Sequence, residues 1–194
     1  VMLPDTTGMW CSLLDRESLD ALNYAESLDK YVEYGPNPLA PENVNYRMSM
    51  NLLRHFFDAF QTTLPSTGAS IQSWVFAHAE TTLPLLTLLG VVQPPPLDSD
   101  SPLPDDFKAA DIACFATNLV ASLHECSASD DESTKFFGVR FYVNEKEVKI
   151  PACGDEQAVC KLETLQEEFH DALVEWDYDT VCQGSCACSW GSSS

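Results

Sequence analysis

Apolar residues recur at spacings of three and four in the stretches 12–34, 44–60 and 162–174, and this period predicts amphipathic helices. The residues expected to face the core are Leu13, Leu14, Leu19, Leu22, Leu28 and Val32 in the first helix, Met48, Leu52, Leu53, Phe56, Phe57 and Phe60 in the second, and Leu162, Leu165, Phe169 and Leu173 in the third. Gly and Pro residues in the segment 35–41 separate the first two helices.

Strands are predicted by four other runs. The continuous apolar run Trp74–Ala77 is typical of a short buried strand, and the apolar stretch 112–125 suggests another. Residues 136–143 alternate, so one face carries Phe137, Val139, Phe141 and Val143. The polar segment 144–147 predicts a turn, and 148–150 a returning strand.

A leucine-rich helix is predicted after the run Trp74–Ala77. Thr81 and Thr82 are suited to its N-cap, and Pro84 is suited to its first turn. Gly90 is expected to stop it. The stretch 73–90 therefore predicts a strand, a polar turn and a helix in succession.

His78 and Glu80 are the polar residues in that turn. We expect them at the carboxyl end of the strand, beside a helix N-terminus, where α/β proteins bind ligands and anions such as phosphate are attracted. A His can donate a hydrogen bond to a phosphate oxygen, and a Glu can protonate a leaving group. In the alternative interpretation, His78 is a hydrogen-bonded core histidine and Glu80 is a first-turn carboxylate that the helix dipole favours.

A set of motifs in fixed order accompanies His78-Ala79-Glu80-Thr81 between about Met9 and Phe169. The set consists of Trp10–Leu14 with Tyr31–Gly35 and Asn37–Pro41, then Phe115–Leu119, Val139–Glu145, and the segment beginning Pro151-Ala152-Cys153. Together these segments resemble the C-terminal part of the histidine acid phosphatases, especially the multiple inositol polyphosphate phosphatases and the related phytases.

The resemblance implies hydrolysis of phosphomonoesters at acid pH without a metal or other cofactor, with phytate or lower inositol phosphates as substrates. It implies that His78 binds the scissile phosphate and that Glu80 donates a proton to the leaving alcohol. Thr81, at the helix start, and Lys108, which stands where the family has an Arg, are the expected substrate-binding residues.

The family's nucleophilic His lies in an N-terminal Arg-His-Gly motif, which this sequence lacks. The resemblance therefore implies a C-terminal portion that works with an N-terminal part of the same precursor. The implied fold is α/β, of the phosphoglycerate-mutase-like architecture. Residues 1–66 would be a mainly helical segment from the smaller helical region, 67–180 part of the α/β domain, and 181–194 a Cys- and Ser-rich tail.

Acidic residues outnumber basic ones by 30 to 10, which gives a formal net charge of −20. This charge argues against binding to nucleic acid or to anionic membranes, because both require basic surfaces. No apolar run approaches the ~20 residues of a membrane span. The acidity also leaves open a catalytically inactive, phosphatase-like secreted protein that binds or stores ligands and, less strongly, a calcium-binding protein.

Eight cysteines without paired Cys-x-x-Cys spacing indicate disulfides and hence a secreted or lumenal protein. Cys153 and Cys160 enclose a short loop that resembles a disulfide loop of the phytases, and we expect them to be bonded. The pairing of Cys182, Cys186 and Cys188 with Cys11, Cys114, Cys126 or another chain stays open. We expect His55, His124 and His170 to be structural or surface residues, with His124 at the end of a strand.

Overall fold

The computed structural model describes residues 13–35, 44–63, 72–93, 103, 107–128, 131–154, 159–170, 174 and 177. The helices in these residues are α1 (Arg16–Tyr34), α2 (Val44–Arg47), α3 (Met50–Thr63), α4 (Ala79–Leu88), α5 (Ala109–Ile112) and α6 (Leu162–Glu168). The strands are β1 (Leu119–Ala128), β2 (Asp131–Val143), β3 (Lys146–Val148) and β4 (Cys160–Lys161), and a 3-10 turn spans Pro151–Cys153. The mixture of helices and sheet agrees with the expected α/β class.

Some sequence predictions fall outside the described residues: the motifs at Trp10 and Asn37–Pro41, the residues Leu173, Cys11, Cys182, Cys186 and Cys188, and the tail 181–194. The domain boundaries stay a prediction.

Helix α1 begins at Arg16, later than the predicted residue 12, and buries only part of the predicted side. Asp15 caps it, with its Oδ1 accepting from the Ser18 N–H at 2.8 Å. The predicted inward position is confirmed for Leu28, which packs against the core, but is wrong for Leu22 and Val32, which are 58% and 50% exposed. Ser27 and Tyr31 are the buried residues of this helix. Only the carboxyl half packs closely, since residues 13–22 are exposed apart from the half-buried Ser18.

The single helix predicted over 44–60 is divided into α2 and α3. Met48 and Ser49 lie between them, and Met48 is exposed although it was expected in the core. Ser49 is buried, and its hydroxyl donates to the Thr81 carbonyl of α4 at 3.4 Å. Beyond this break the predicted inward face of α3 is confirmed by the buried residues Leu53, Phe57 and Phe60.

The sheet is antiparallel, with β1 and β3 on either side of β2 and the short β4 also paired with β2. Asn144 and Glu145 form the two-residue turn between β2 and β3, with φ of 49° and 66°, the left-handed geometry of a tight hairpin. The predicted strand over 136–143 is confirmed within β2, and Val139 and Phe141 are buried as expected.

The strand predicted over 112–125 starts too early, because Ala109–Ile112 is helical and β1 begins at Leu119. The expectation that His124 ends a strand is also wrong. His124 lies inside β1, is exposed, and has its Nε2 2.9 Å from the Ser122 hydroxyl. His55 and His170 are exposed, in agreement with surface positions.

The two apolar clusters of the core meet at α4. Leu85 and Leu89 belong to the first, which joins α3, β2 and α6 through residues such as Leu53, Val139 and Leu165. Leu86 belongs to the second, which joins α1 and the start of α5 through Tyr31, Phe107 and Ala109. Because both clusters hold α4, its amino-terminal end has a fixed position.

The expected disulfide between Cys153 and Cys160 is present and ties the 3-10 turn to β4. Cys114 and Cys126 are free among the described cysteines. No helix in the described ranges is long and apolar enough to cross a lipid bilayer.

Candidate active site

The candidate site is built at the amino-terminal end of α4. His78 is the N-cap, with extended backbone at φ −109° and ψ 174°, and its carbonyl accepts from the Thr81 and Thr82 N–H groups at 3.0 and 3.2 Å. The helix therefore starts earlier than predicted, with both threonines inside it and Pro84 beyond its first turn. The Thr82 hydroxyl donates to the His78 carbonyl at 3.4 Å instead of capping the helix as predicted.

His78 and Glu80 both have exposed side chains. The His78 side chain makes no capping hydrogen bond, so it is free to meet a ligand at the helix end. In the described residues His78 is exposed, so none of them buries it as a core histidine. Glu80 lies in the first turn, where the partial positive charge of the helix favours an anion. The Thr81 and Thr82 N–H groups are already bonded to the His78 carbonyl, so the helix end attracts an anion through the partial positive charge of the helix.

The run before the site is not a buried strand, so this prediction is wrong. Residues 72–78 belong to neither helix nor strand, and Trp74, Val75 and Phe76 are 75%, 52% and 92% exposed. A strand that is apolar on both faces needs a packed layer on each face. None of the described elements supplies such a layer or pairs with this run. The Ser73 hydroxyl nevertheless lies 3.2 Å from His55 Nε2, which ties the run to α3.

The carboxyl end of α1 lies within electrostatic range of Glu80. The pKa of Tyr34 is raised chiefly by burial and by the charge of Glu33, and the Glu80 carboxylate adds to the effect. Lys30 Nζ lies 5.5 Å from the centre of the Tyr34 ring and 3.2 Å from the Glu33 carboxylate. The hydrogen bond that Lys30 donates to the Glu33 carboxylate raises the pKa of Lys30, so this side of the site carries a cation already paired with an acid.

A second basic residue, Arg47, lies in α2, the helix next to α4. This short helix packs against α4 and ends in Arg47, whose side chain is half-buried. Sequence reasoning overlooked Arg47 and Tyr34, because they approach α4 only through packing between distant segments.

Lys108 belongs to a different helix from the other predicted site residues. It is the exposed N-cap residue of α5, and its carbonyl accepts from the Asp111 and Ile112 N–H groups at 3.0 and 3.1 Å. Among the described contacts, none joins Lys108 to His78, Glu80 or Thr81. The structure thus groups those three at one helix end and leaves the role of Lys108 a prediction.

A cavity of about 300 Å³ lies at the other end of α4. Its lining includes Leu86, Phe107, Asp111, Asn144 and Lys146. None of the predicted site residues lines it. The cavity has charged and hydrogen-bonding groups of its own in Asp111, Asn144 and Lys146, and the site at His78 and Glu80 stays a prediction. In the part of the chain described, no three His, Cys, Asp or Glu side chains form a group that could hold a metal ion.

Comparison with known proteins adds independent information. The sequence profile of the histidine phosphatase superfamily (branch 2) matches residues 6–144. The chain is 27% identical over 183 residues to the Homo sapiens protein named multiple inositol polyphosphate phosphatase 1, covering 90% of this chain and 36% of that protein. The Gallus gallus protein of the same name is 25% identical over 190 residues, with 93% and 41% covered. The chain thus spans less than half the length of either relative.

Proposed function

Because the chain belongs to branch 2 of the histidine phosphatase superfamily, we propose that it forms the proton-donor side of an active site that hydrolyses phosphomonoesters. The family resemblance drawn from the motifs and the expected α/β class are confirmed by the same match. The observation that carries the proposal is the position of His78 and Glu80, both exposed, at the open amino-terminal end of a helix that two apolar clusters hold.

In the proposed reaction, an imidazole from a part of the protein outside this chain attacks phosphorus. A P–N bond forms as the P–O bond to the alcohol breaks, and the protonated Glu80 gives its proton to the departing oxygen. Water then attacks the phosphohistidine, the P–N bond breaks, and the Glu80 carboxylate takes the proton from that water. An acidic working pH favours the protonated Glu80 that the first step requires.

His78 and the start of α4 have an electrostatic role in this scheme. The imidazole donates a hydrogen bond to a phosphoryl oxygen, and the partial positive charge at the first turn of α4, which contains Thr81, attracts the same negative charge. Both are fixed before substrate arrives, because α4 is held by buried leucines on both sides.

We propose inositol polyphosphates as the substrate class, since both relatives bear that name. A chain with a net charge of −20 repels such a polyanion. The proposal therefore requires a basic surface on the N-terminal part that supplies the nucleophile, in addition to Arg47 and Lys108 on this chain. We place the protein in the secretory pathway or outside the cell, because it carries eight cysteines and the Cys153–Cys160 disulfide.

The test is the substitution Glu80→Gln in the complete protein, assayed on an inositol phosphate. We expect turnover to fall at least ~10²-fold, because the amide cannot deliver the proton. Glu163→Gln is a matched control, since Glu163 is also exposed and lies in the first turn of its helix, α6. Unchanged turnover in Glu80→Gln, or an equal loss in the control, would remove Glu80 from the mechanism.

The second candidate is a phosphatase-like secreted protein that binds or stores ligands without catalysis. It is favoured by the net charge of −20 and by Lys108, which stands where the family resemblance implies an Arg. Sequencing the rest of the gene product decides between the two. An intact Arg-His-Gly motif supports the enzyme, and replacement of its His supports the binding protein.

A further inference from the structure

The cavity of about 300 Å³ at the carboxyl end of α4 has no role in the proposed phosphatase chemistry. Its floor belongs to the second apolar cluster, since Leu86, Val92 and Phe107 are only 0%, 6% and 7% exposed. A cavity of this size is at the lower end of the range for ligand pockets. It therefore has room for one small molecule with an apolar body.

Hydrogen bonds hold the walls of the cavity in place. Asn144 Nδ2 donates to the Asp111 and Ile112 carbonyls at 3.2 and 3.3 Å, and Asn144 Oδ1 accepts from the Asn118 N–H at 3.2 Å. These bonds join the turn between β2 and β3 to α5 and to the residue before β1. Because the Asn144 amide is engaged within the chain, it shapes the cavity and leaves ligand binding to the other polar groups.

Two side chains of opposite charge remain available where the cavity meets solvent. Asp111 of α5 and Lys146 of β3 both line the cavity, and both are exposed. Among the described residues, neither forms an ion pair, with the other or with a third group. The two charges approach from different walls, and the flexible stem of a lysine can follow a bound molecule.

These features select a ligand that has both charges and an apolar body. An anion without a cationic group would be repelled by Asp111 and by the net charge of −20. A cation without an anionic group would leave Lys146 unpaired and would find carboxylates elsewhere on so acidic a chain. A fully polar zwitterion would gain nothing from contact with Leu86 and Phe107.

We propose that the cavity binds a free α-amino acid with an apolar side chain. The α-ammonium group contacts the Asp111 carboxylate, the α-carboxylate contacts the Lys146 ammonium, and the side chain lies against Leu86 and Phe107. No bond is made or broken, so this is a binding site and not a second catalytic site. It is independent of the proposed function, because it uses none of the residues assigned to phosphate transfer.

The test is isothermal titration calorimetry on the purified complete gene product with three probes of one shape. L-phenylalanine carries both charges, phenethylamine lacks the carboxylate, and 3-phenylpropionate lacks the ammonium group. We expect phenylalanine to bind, and each of the other two to bind at least ~10-fold more weakly, because each loses one contact between charged groups. No measurable binding at the solubility limit of phenylalanine, or equal binding of all three probes, would overturn the inference.

Charge-removing variants assign each contact. Asp111→Asn and Lys146→Gln should each weaken phenylalanine binding at least ~10-fold. Asp111→Asn should not weaken 3-phenylpropionate, and Lys146→Gln should not weaken phenethylamine. Asp58→Asn and Lys161→Gln are matched controls, since both residues are exposed and lie outside the cavity. Equal losses in the controls, or no loss in the cavity variants, would show that the contacts are misassigned and would overturn the inference.

A cavity-filling variant tests the floor. Val148 is half-buried and lines the cavity, so Val148→Trp should abolish phenylalanine binding by occupying the space. Circular dichroism checks that this variant folds, and if it does not, the charge variants still decide. Full affinity in a correctly folded Val148→Trp protein would place binding elsewhere and overturn the inference.

Glu80→Gln separates this inference from the proposed function. It should keep the full affinity for phenylalanine while turnover falls, because Glu80 lies at the opposite end of α4 from the cavity. If phenylalanine binds as expected but Glu80→Gln has full turnover, the proposed chemistry fails and the amino-acid site stands. If turnover depends on Glu80 but phenylalanine does not bind, the amino-acid site alone fails.

Discussion

At the scale of single residues, Tyr31 shows how burial alters both packing and titration. Its ring packs edge-to-face on Phe107 with centroids 5.1 Å apart, and its hydroxyl donates to the Gln93 carbonyl at 3.4 Å. Burial raises the pKa of Tyr31 from 10.0 to about 12. The phenol therefore favours the folded state only while it is neutral, because the phenolate is more stable in the unfolded chain.

This shift predicts a loss of stability at alkaline pH. Below pH 10 the phenol is protonated in both states, and between pH 10 and about 12 the unfolded chain releases the proton first. The free energy of unfolding should therefore decline across that window, and less steeply in Tyr31→Phe. Urea titrations of the purified protein at several pH values measure the difference, with the exposed Tyr24→Phe as control. Equal declines in the native protein and Tyr31→Phe would contradict the assignment.

At the scale of secondary-structure elements, α4 connects the core to the chemistry. Its leucines enter two clusters on different sides, and its first turn carries Glu80. The leucines in the amino half of helix α1 differ from those of α4, because Leu19 and Leu22 are exposed. The same residue type therefore contributes very different amounts of stability in the two helices.

Truncating one leucine in each helix should reveal that difference. Leu86 of α4 is 0% exposed, so Leu86→Ala should lower the free energy of unfolding by about 2–5 kcal/mol through lost burial and a cavity. Leu22 of α1 is 58% exposed, so Leu22→Ala should change it by no more than about 0.5 kcal/mol. Denaturant unfolding of the purified variants provides both values. Similar losses in the two variants would show that the packing around α4 is misassigned.

At the scale of the whole molecule, the low number of basic residues and the exposed apolar residues both suit the proposal that another part of the protein completes the site. The chain has ten basic residues, and five of them, Lys135, Arg140, Lys146, Lys149 and Lys161, lie in the hairpin region and β4. Near the start of α4, packing brings α2 with Arg47, while Lys30 is already paired with Glu33. The proposed polyphosphate substrate would therefore need cations from another part of the protein.

Local signals in the sequence predicted local features well. The hairpin at Asn144 and the disulfide at Cys153 depend on neighbouring residues, and His78 and Glu80 were correctly placed at a helix start. The start itself was misjudged because backbone bonding to the His78 carbonyl decided it. Burial could not be predicted in the same way, because Leu22 and Trp74 are apolar but lack a covering layer among the described elements.

The location of Lys108 likewise could not be predicted from the sequence. Its place in the motif order suggested a substrate contact, but its location depends on how α5 packs against α1, where the Ala109 N–H donates to the buried Ser27 hydroxyl at 3.1 Å. Contacts between segments this far apart in the chain leave no periodic signal in either one.

The central claim is that Glu80 protonates the leaving group, and the dependence of Glu80→Gln on leaving-group acidity tests it most directly. In the complete protein, we predict that the variant loses at least ~10²-fold in turnover on an inositol phosphate, whose alkoxide needs a proton. On p-nitrophenyl phosphate, whose phenolate departs readily without one, the loss of P–O cleavage rate should be much smaller. Equal losses on both substrates, or no loss on either, would contradict the account.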